Sequence, residues 1–313
     1  MKKNNKKIKI IIILFLLVLT TGCTKTLTDG NKKAVRNETT GQTLTANILC
    51  QPTNKKTIEI YKKYDVDVEK LPKCSEFKIT SGKYEGLWTS IFVKPLAFFL
   101  LILGKLVKNY GISVIIISLI IRFIAYPITK KTAMQSEIMK KAQPELNRIQ
   151  KKYENKKDQE SMVKQNQEMM AVYKKYNINP MSGCLFAMIQ LPIFVAFFEA
   201  VQRTPVIFED KFLGLQLGTT PSVGITNATF YSYIILMLLI AATTYFSFKM
   251  SGAGNTEDPT MKMMPTMMTM MIIVTAMFMP TGLGIYWITS NVFTIVQNQI
   301  VKRSKEVNGK KKI

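Results

Sequence analysis

Histidine is absent from all 313 residues. The side chain that most often serves as a general base near neutral pH, and most often binds a transition metal, is therefore missing. The chain also lacks the G-x-x-x-x-G-K-[ST] run that wraps a nucleotide's phosphates, and no G-x-G-x-x-G follows a strand-like segment. No nucleotide motor, metal or cofactor is expected. The apolar segments contain no pair of aspartates and no Ser–His set, so catalysis is not expected either. Acidic residues are scarce, 20 Asp and Glu against 43 Lys and Arg, for a net charge of +23.

What is plentiful is apolar sequence, 47% of the chain. A soluble domain scatters such residues. Here they fall in blocks at 87–107, 112–129, 183–201, 230–248, 264–279 and 283–301, as membrane spans do. The basic residues concentrate at the two ends and in 130–180. Basic flanks on apolar spans set topology and attract anionic lipids. Nucleic acid is not expected as a primary ligand.

The first residues read as a signal peptide, 1–22. Lys2, Lys3, Lys6, Lys7 and Lys9 precede an apolar run from Ile10 to Leu19, too short for a stable span. The run ends in Leu19-Thr20-Thr21-Gly22-Cys23, which resembles the lipobox of bacterial lipoproteins. That resemblance implies cleavage before Cys23, diacylation of its sulfur and a mature N-terminus held outside by two acyl chains. Residues 23–85 are polar, with few large apolar side chains (Leu44, Ile48, Ile58, Phe77), and read as a lipidated extracellular linker or small domain. Cys50 and Cys74 lie in it. One disulfide and two separate thiols both remain open.

Charge parity sets the number of crossings. With the N-terminus outside, and 130–180 cytoplasmic because it carries twelve Lys and Arg against six acidic residues, an odd number of spans must intervene. Lys94-Pro95 and Gly104-Lys105 interrupt 87–107, so 112–129 is taken as the span and 86–109 as an amphipathic helix in the outer interface. The remaining segments alternate consistently. The expectation is an all-α membrane protein whose core, 110–303, has five transmembrane helices. A basic tail, 304–313, follows in the cytoplasm. Within 130–180, Ile138, Ala142, Leu146, Ile149 and Tyr153 form one helical stripe, and Met162, Met169 and Tyr173 form another beyond a polar break. This predicts a cytoplasmic helical hairpin.

Arg122 is the charged residue of an otherwise apolar run, Ile112 to Ile128. A guanidinium at the centre of a span costs roughly 2.5–3.5 kcal/mol on insertion scales. Snorkelling would relieve part of that, because Lys130 lies about 12 Å along the helix at ~1.5 Å per residue. The alternative is a wet cavity that Arg122 faces. Gln190 in the second span could line it, as could Glu199 near that span's outer end and Tyr286, Ser290 and Gln297 in the last, with Asn291 and Thr294 on an adjoining stripe. Methionines crowd the fourth span from Met261 to Met279, where lipid-facing filler is the plainer reading.

Four motifs then stand in order. They are Gly111-Ile112-Ser113 through Arg122-Phe123 to Tyr126-Pro127-Ile128-Thr129-Lys130-Lys131; Asn179-Pro180-Met181-Ser182-Gly183-Cys184-Leu185 leading to Gln190-Leu191-Pro192-Ile193-Phe194; Met264-Pro265; and Gly284-Ile285-Tyr286-Trp287-Ile288-Thr289-Ser290-Asn291 with Gln297-Asn298-Gln299. Together, over roughly 86–303, they resemble the core of YidC-type membrane protein insertases, whose relatives occur in mitochondria and chloroplasts. The resemblance implies a hydrophilic groove among five helices, open to the cytoplasm and lipid, with the family's arginine at Arg122. It implies groove or substrate-contacting positions at Gln190, Tyr286, Trp287, Asn291 and Gln297. Implied partners are nascent membrane proteins, the ribosome, the Sec translocon and the signal recognition machinery, at a bacterial plasma membrane. The rival from another class is a small-solute or ion transporter with Arg122 as its substrate site. No inverted repeat or pair of broken helices favours it.

Overall fold

The computed structural model describes residues 24–38, 40–156, 158–179, 182–225, 230–252 and 262–310. The signal-peptide segment, the lipidation expected at Cys23, and Met261 lie outside the described residues. Among the described residues ten α-helices dominate, and the chain resolves into two compact units. One comprises the described residues up to Ile117 with Leu191–Met237 and Ala276–Tyr286. The other comprises Ser118–Gln190, Leu238–Thr275 and the chain from Trp287.

The first unit begins with a small domain. Antiparallel bridges join Thr26 to Thr45 and Arg36 to Thr43. Helix α1, Lys55–Lys63, starts where Asn54 Oδ1 accepts a bond from the Lys56 amide at 2.9 Å, a side-chain cap for an otherwise unpaired donor. Leu27, Val35, Leu44, Ile48, Tyr61 and Val68 form a buried cluster with Phe208. Cys50 and Cys74 are disulfide-bonded, with Cα atoms 4.9 Å apart.

A π-helical turn, Thr89–Val93, leads into α2, Lys94–Val107. Its exposed side carries Phe99, Ile102 and Leu106 beside Lys105, while the charged Lys94 is buried. Lys94 is tolerated because its Nζ donates to the Ser81 and Lys83 carbonyls at 2.6 and 3.1 Å. Lys108, with φ at 56°, ends the helix. Helix α3 follows almost at once, so Gly104 must sit against Tyr110; a Cβ there would lie 2.1 Å from the ring. Helix α3, Tyr110–Tyr153, is 44 residues long and runs unbroken through Pro127 and Pro144. The Asn109 side chain accepts from the Ile112 amide at 2.9 Å, and Asp210 accepts from the Tyr110 amide at 2.8 Å. Both place negative character at a helix N-terminus, where it is favoured.

The remaining elements are α4, Gln159–Lys175; α5, Ser182–Arg203; a short α6, Pro205–Glu209; a two-stranded ribbon, Lys211–Phe212 with Leu215–Gln216; a short α7, Pro221–Gly224; α8, Phe230–Met250; α9, Met264–Ala276; and α10, Thr281–Lys310. Among the described residues, Thr89–Val107, α3 and α8 are long and apolar enough to cross a membrane by length and composition, and α9 is a shorter apolar helix.

In the second unit, the C-terminal part of α3 and α4 pair as an antiparallel hairpin. Ala142, Leu146, Val172 and Ile178 form its core, with Ile138, Ile149, Met169 and Tyr173 around them. Lys152 and Glu168 pair at 2.6 Å, and Lys175 and Glu145 at 2.7 Å.

Candidate functional site

Helix α3 turns a polar stripe inward. Ser118, Arg122 and Thr129 are all buried. Their spacings of four and seven residues place them on one helix face. Arg122 is 7% exposed, and its guanidinium donates to Gln190 Oε1 at 2.8 Å. The amide orients the cation through a charge-assisted bond without itself supplying negative charge. One turn or more toward the hairpin, the Gln297 amide donates to Thr129 Oγ1 at 3.0 Å. Phe293 meets the rings of Phe123 and Tyr126 edge-on.

A second polar node joins α8 to α10. Thr244, 1% exposed, accepts from Trp287 Nε1 at 3.1 Å and from Asn291 Nδ2 at 2.9 Å. Trp287 and Asn291 are four residues apart, so both reach the same hydroxyl. Asn298 Nδ2 reaches Ser251 Oγ at 3.3 Å, repeating the link lower on the same helices. Ser290 Oγ is buried with no hydrogen-bond partner among the described residues.

The residues singled out from sequence thus fall into three sets within the second unit: Arg122 with Gln190, Trp287 with Asn291, and Gln297 with Thr129. Tyr286 belongs to the first unit, where its buried ring stacks on Phe197 with centroids 4.5 Å apart. The acceptors Thr129 and Thr244 were not anticipated. A threonine inside an apolar run is a weak signal, since its hydroxyl commonly returns to its own helix, as Thr243 does to Leu239.

Sequence reasoning also missed an ionic cluster in the first unit. Arg203, fully buried at the end of α5, donates to the Asn47 carbonyl at 2.7 Å and to Glu85 Oε2 at 2.6 Å, with Glu199 Oε2 3.7 Å away. Trp88 Nε1 donates to the other Glu199 oxygen at 3.0 Å. The Glu199–Arg203 spacing of four on a helix was the available signal.

The hairpin carries its own electrostatics. The Lys152 ammonium holds the Glu168 carboxyl below its usual range, helped by the Tyr153 hydroxyl, and Lys175 with Tyr176 does the same for Glu145. Asp158, accepting from the Ser161 amide at the start of α4, is lowered too. Lys140 Nζ donates to the Met250 carbonyl at 2.6 Å, pinning the hairpin arm to the end of α8. No group of three or more metal-ligating side chains occurs among the described residues.

Comparison with known proteins fits this architecture. Residues 102–310 match the model of the family described as 60Kd inner membrane protein. The membrane protein insertase YidC 2 of Bacillus anthracis is 35% identical over 73% of this chain and 87% of its own. The membrane protein insertase MisCA of Bacillus subtilis is 34% identical over 76% of this chain and 92% of its own. A crystal structure of an active YidC insertase with its first transmembrane domain resolved shares the fold, with a TM-score of 0.52 at 24% identity, covering 78% of this chain and 53% of that one. The chain is a member of the YidC family of membrane protein insertases.

Proposed function

We propose that the protein inserts nascent integral membrane proteins into a bacterial plasma membrane, and helps them fold, without ATP. The observation that carries this reading is Arg122, a buried guanidinium on an apolar helix, steered by the neutral amide of Gln190 at 2.8 Å. The cation presents positive charge where an entering acidic tail needs it. The basic hairpin captures a nascent segment, Arg122 draws its short acidic outer tail into a hydrophilic groove, and the polar groups then cross a shorter stretch of lipid. The apolar span leaves sideways, driven by burial of its side chains at about 25 cal/mol per Å². Gln190, Tyr286, Trp287, Asn291 and Gln297 are the groove positions of this scheme, and Arg122 is its electrostatic centre.

The topology proposed with it has five spans, in α3, α5, α8, α9 and α10, an outer lipidated N-terminus at Cys23 and a cytoplasmic C-terminus. Helix α2 lies in the outer interface. Two contacts of α2 with the small domain support this: Lys94 at one end bonds Ser81 and Lys83, and Leu101, Ile102 and Lys105 near the other line a cavity with Gln51 and Lys73. A helix touched at both ends by one small domain lies along it. Ribosome, Sec translocon and signal recognition machinery are the proposed upstream partners, and anionic lipids the surrounding ones.

The test is insertion of an acidic-tailed single-span substrate into proteoliposomes. Arg122→Ala should reduce protected substrate to background, whereas Arg122→Lys keeps much of it. Full insertion by Arg122→Ala would remove the electrostatic step. Photocrosslinking from Gln190 and Tyr286 to ribosome-bound nascent chains should map the path.

A further inference from the structure

The small domain and α2 enclose a second feature that the insertase scheme leaves unused. A cavity of about 470 Å³ opens between them, within the roughly 300–1,000 Å³ range of ligand clefts. Its charged lining residues are two lysines, Lys73 from the small domain and Lys105 from α2, and no carboxylate lines it. Among the described residues neither lysine forms a salt bridge. Gln51 and Ser75 add polar groups beside the lysines, and Phe77 and Ile102 give an apolar wall. The cavity therefore combines two positive charges, neutral hydrogen-bonding groups and greasy walls, the complement of an anionic headgroup joined to a hydrocarbon.

The surface beside the cavity extends that logic. From Ile102 the exposed face of α2 continues through Phe99 in one direction and Leu106 in the other, 51% and 74% exposed. Spacings of three and four residues make this one apolar row. An acyl chain leaving the cavity would lie along that row. The opposite wall is held in place by chemistry: Lys73 and Ser75 flank Cys74, whose bond to Cys50 fixes their backbone. Gln51, next to the other half-cystine, pairs with Lys73 across the same closure.

We propose that this cavity binds one anionic phospholipid, its phosphate between Lys73 and Lys105 and an acyl chain along the Phe99–Ile102–Leu106 row. The bound lipid would seal the small domain to α2 and anchor both at the interface. The volume accommodates a headgroup and the first carbons of a chain, with the rest outside. Lipid retention can be measured without any insertion reaction.

The experiment uses the full chain, purified in detergent and loaded with phosphatidylglycerol or phosphatidylcholine, with retained lipid counted by native mass spectrometry. One phosphatidylglycerol should remain bound where phosphatidylcholine is lost. Lys73→Gln/Lys105→Gln should lower that retention by about tenfold or more, since each charge-assisted contact is worth at least that factor. Lys73→Arg/Lys105→Arg should restore it, which excludes misfolding as the cause of the loss. Lys55→Gln/Lys56→Gln, on α1 and outside the cavity, should leave it unchanged. Equal retention of the two lipids, or equal retention by the Gln variant and the parent, overturns the proposal. So does stripping of the lipid by inorganic phosphate alone, which would make the site one for a small anion.

Discussion

Two buried arginines, one in each compact unit, are set in opposite ways. Arg203 has everything a guanidinium needs: Glu85 at 2.6 Å, Glu199 at 3.7 Å and the Asn47 carbonyl at 2.7 Å. Arg122, nearly as buried, is oriented by the neutral Gln190. Arg203 draws two distant stretches of chain, around Asn47 and Glu85, onto the end of α5, and its neighbours neutralise it locally. The amide beside Arg122 orients the guanidinium and carries no charge of its own. Burial alone thus says little about what an arginine is for; the contacts that orient it say more.

The comparison breaks most visibly at Arg203. Arg203→Ala strands Glu85 and the buried Glu199, and breaking a buried pair in this way costs about 3–5 kcal/mol. The expected result is a large drop in the thermal midpoint in detergent, with faster proteolysis of the small domain. A wild-type melting curve would mean that the cluster holds nothing together. Arg122→Ala should show the reverse pattern. Insertion of acidic-tailed substrates falls to background, while the melting temperature moves less than in Arg203→Ala. If Arg122→Ala melts as early as Arg203→Ala, the contrast between a structural and a functional cation is lost.

A smaller effect separates interhelical links from groove residues. Thr244→Val removes the acceptor shared by Trp287 and Asn291. Intramembrane hydrogen bonds average about 0.6 kcal/mol each, so losing two should cost about 1 kcal/mol, read as a modest shift in the melting temperature. Insertion by Thr244→Val should stay near wild type if Trp287 and Asn291 act chiefly as ties between α8 and α10. A strong insertion defect without loss of stability would show that their role as groove positions outweighs their role as ties.

Much of this organisation was readable from the chain. Long apolar blocks and basic flanks gave the helical membrane class, because lipid admits few other solutions. Arg122 stood out through its cost. The hairpin was visible in two apolar stripes separated by a polar break, although α3 continues from span into hairpin without interruption, which no stripe announces. What stayed hidden was pairing at long range. Nothing local in Asn47, Glu85 and Arg203 says that they meet, nor that Cys50 chooses Cys74 over remaining a thiol. The choice between linker and small domain stayed open for the same reason, because Leu27, Val35, Leu44 and Tyr61 are too sparse to show a period and pack together with Phe208 from another part of the chain. In helix α2 the buried side carries Lys94 among Ala97, Leu100 and Leu101, and the exposed side carries Phe99, Ile102 and Leu106 beside Lys105, so charge and apolar side chains share both faces.

The smallest effect is expected at the exposed charges of the hairpin, which contrast with both buried arginines. Glu145 and Glu168 have carboxyls lowered from a usual 4.5, chiefly by bonds from Lys175 and Lys152, and Asp158 is lowered from 3.8 by the Ser161 amide. A lowered folded value means that the stabilisation is complete above the unfolded value and fades as pH falls through the folded one. Lys152 and Lys175 are raised from 10.5 by the same pairs, so their share is complete below that value and fades as pH rises beyond it. Hairpin order should therefore be flat across neutral pH and loosen only below the usual 4.5, as pH falls through the lowered carboxyl values, or above 10.5. Spin labels at Glu154 and Met170 would report this as a broadening of their distance distribution at the two extremes. Because these groups face solvent, salt should blunt the acid and alkaline effects. The apolar contacts of Ala142, Leu146 and Val172 should keep the two arms together throughout. A sharp loosening between pH 6 and 8, where none of these groups titrates, would show that something other than these pairs sets the hairpin's order.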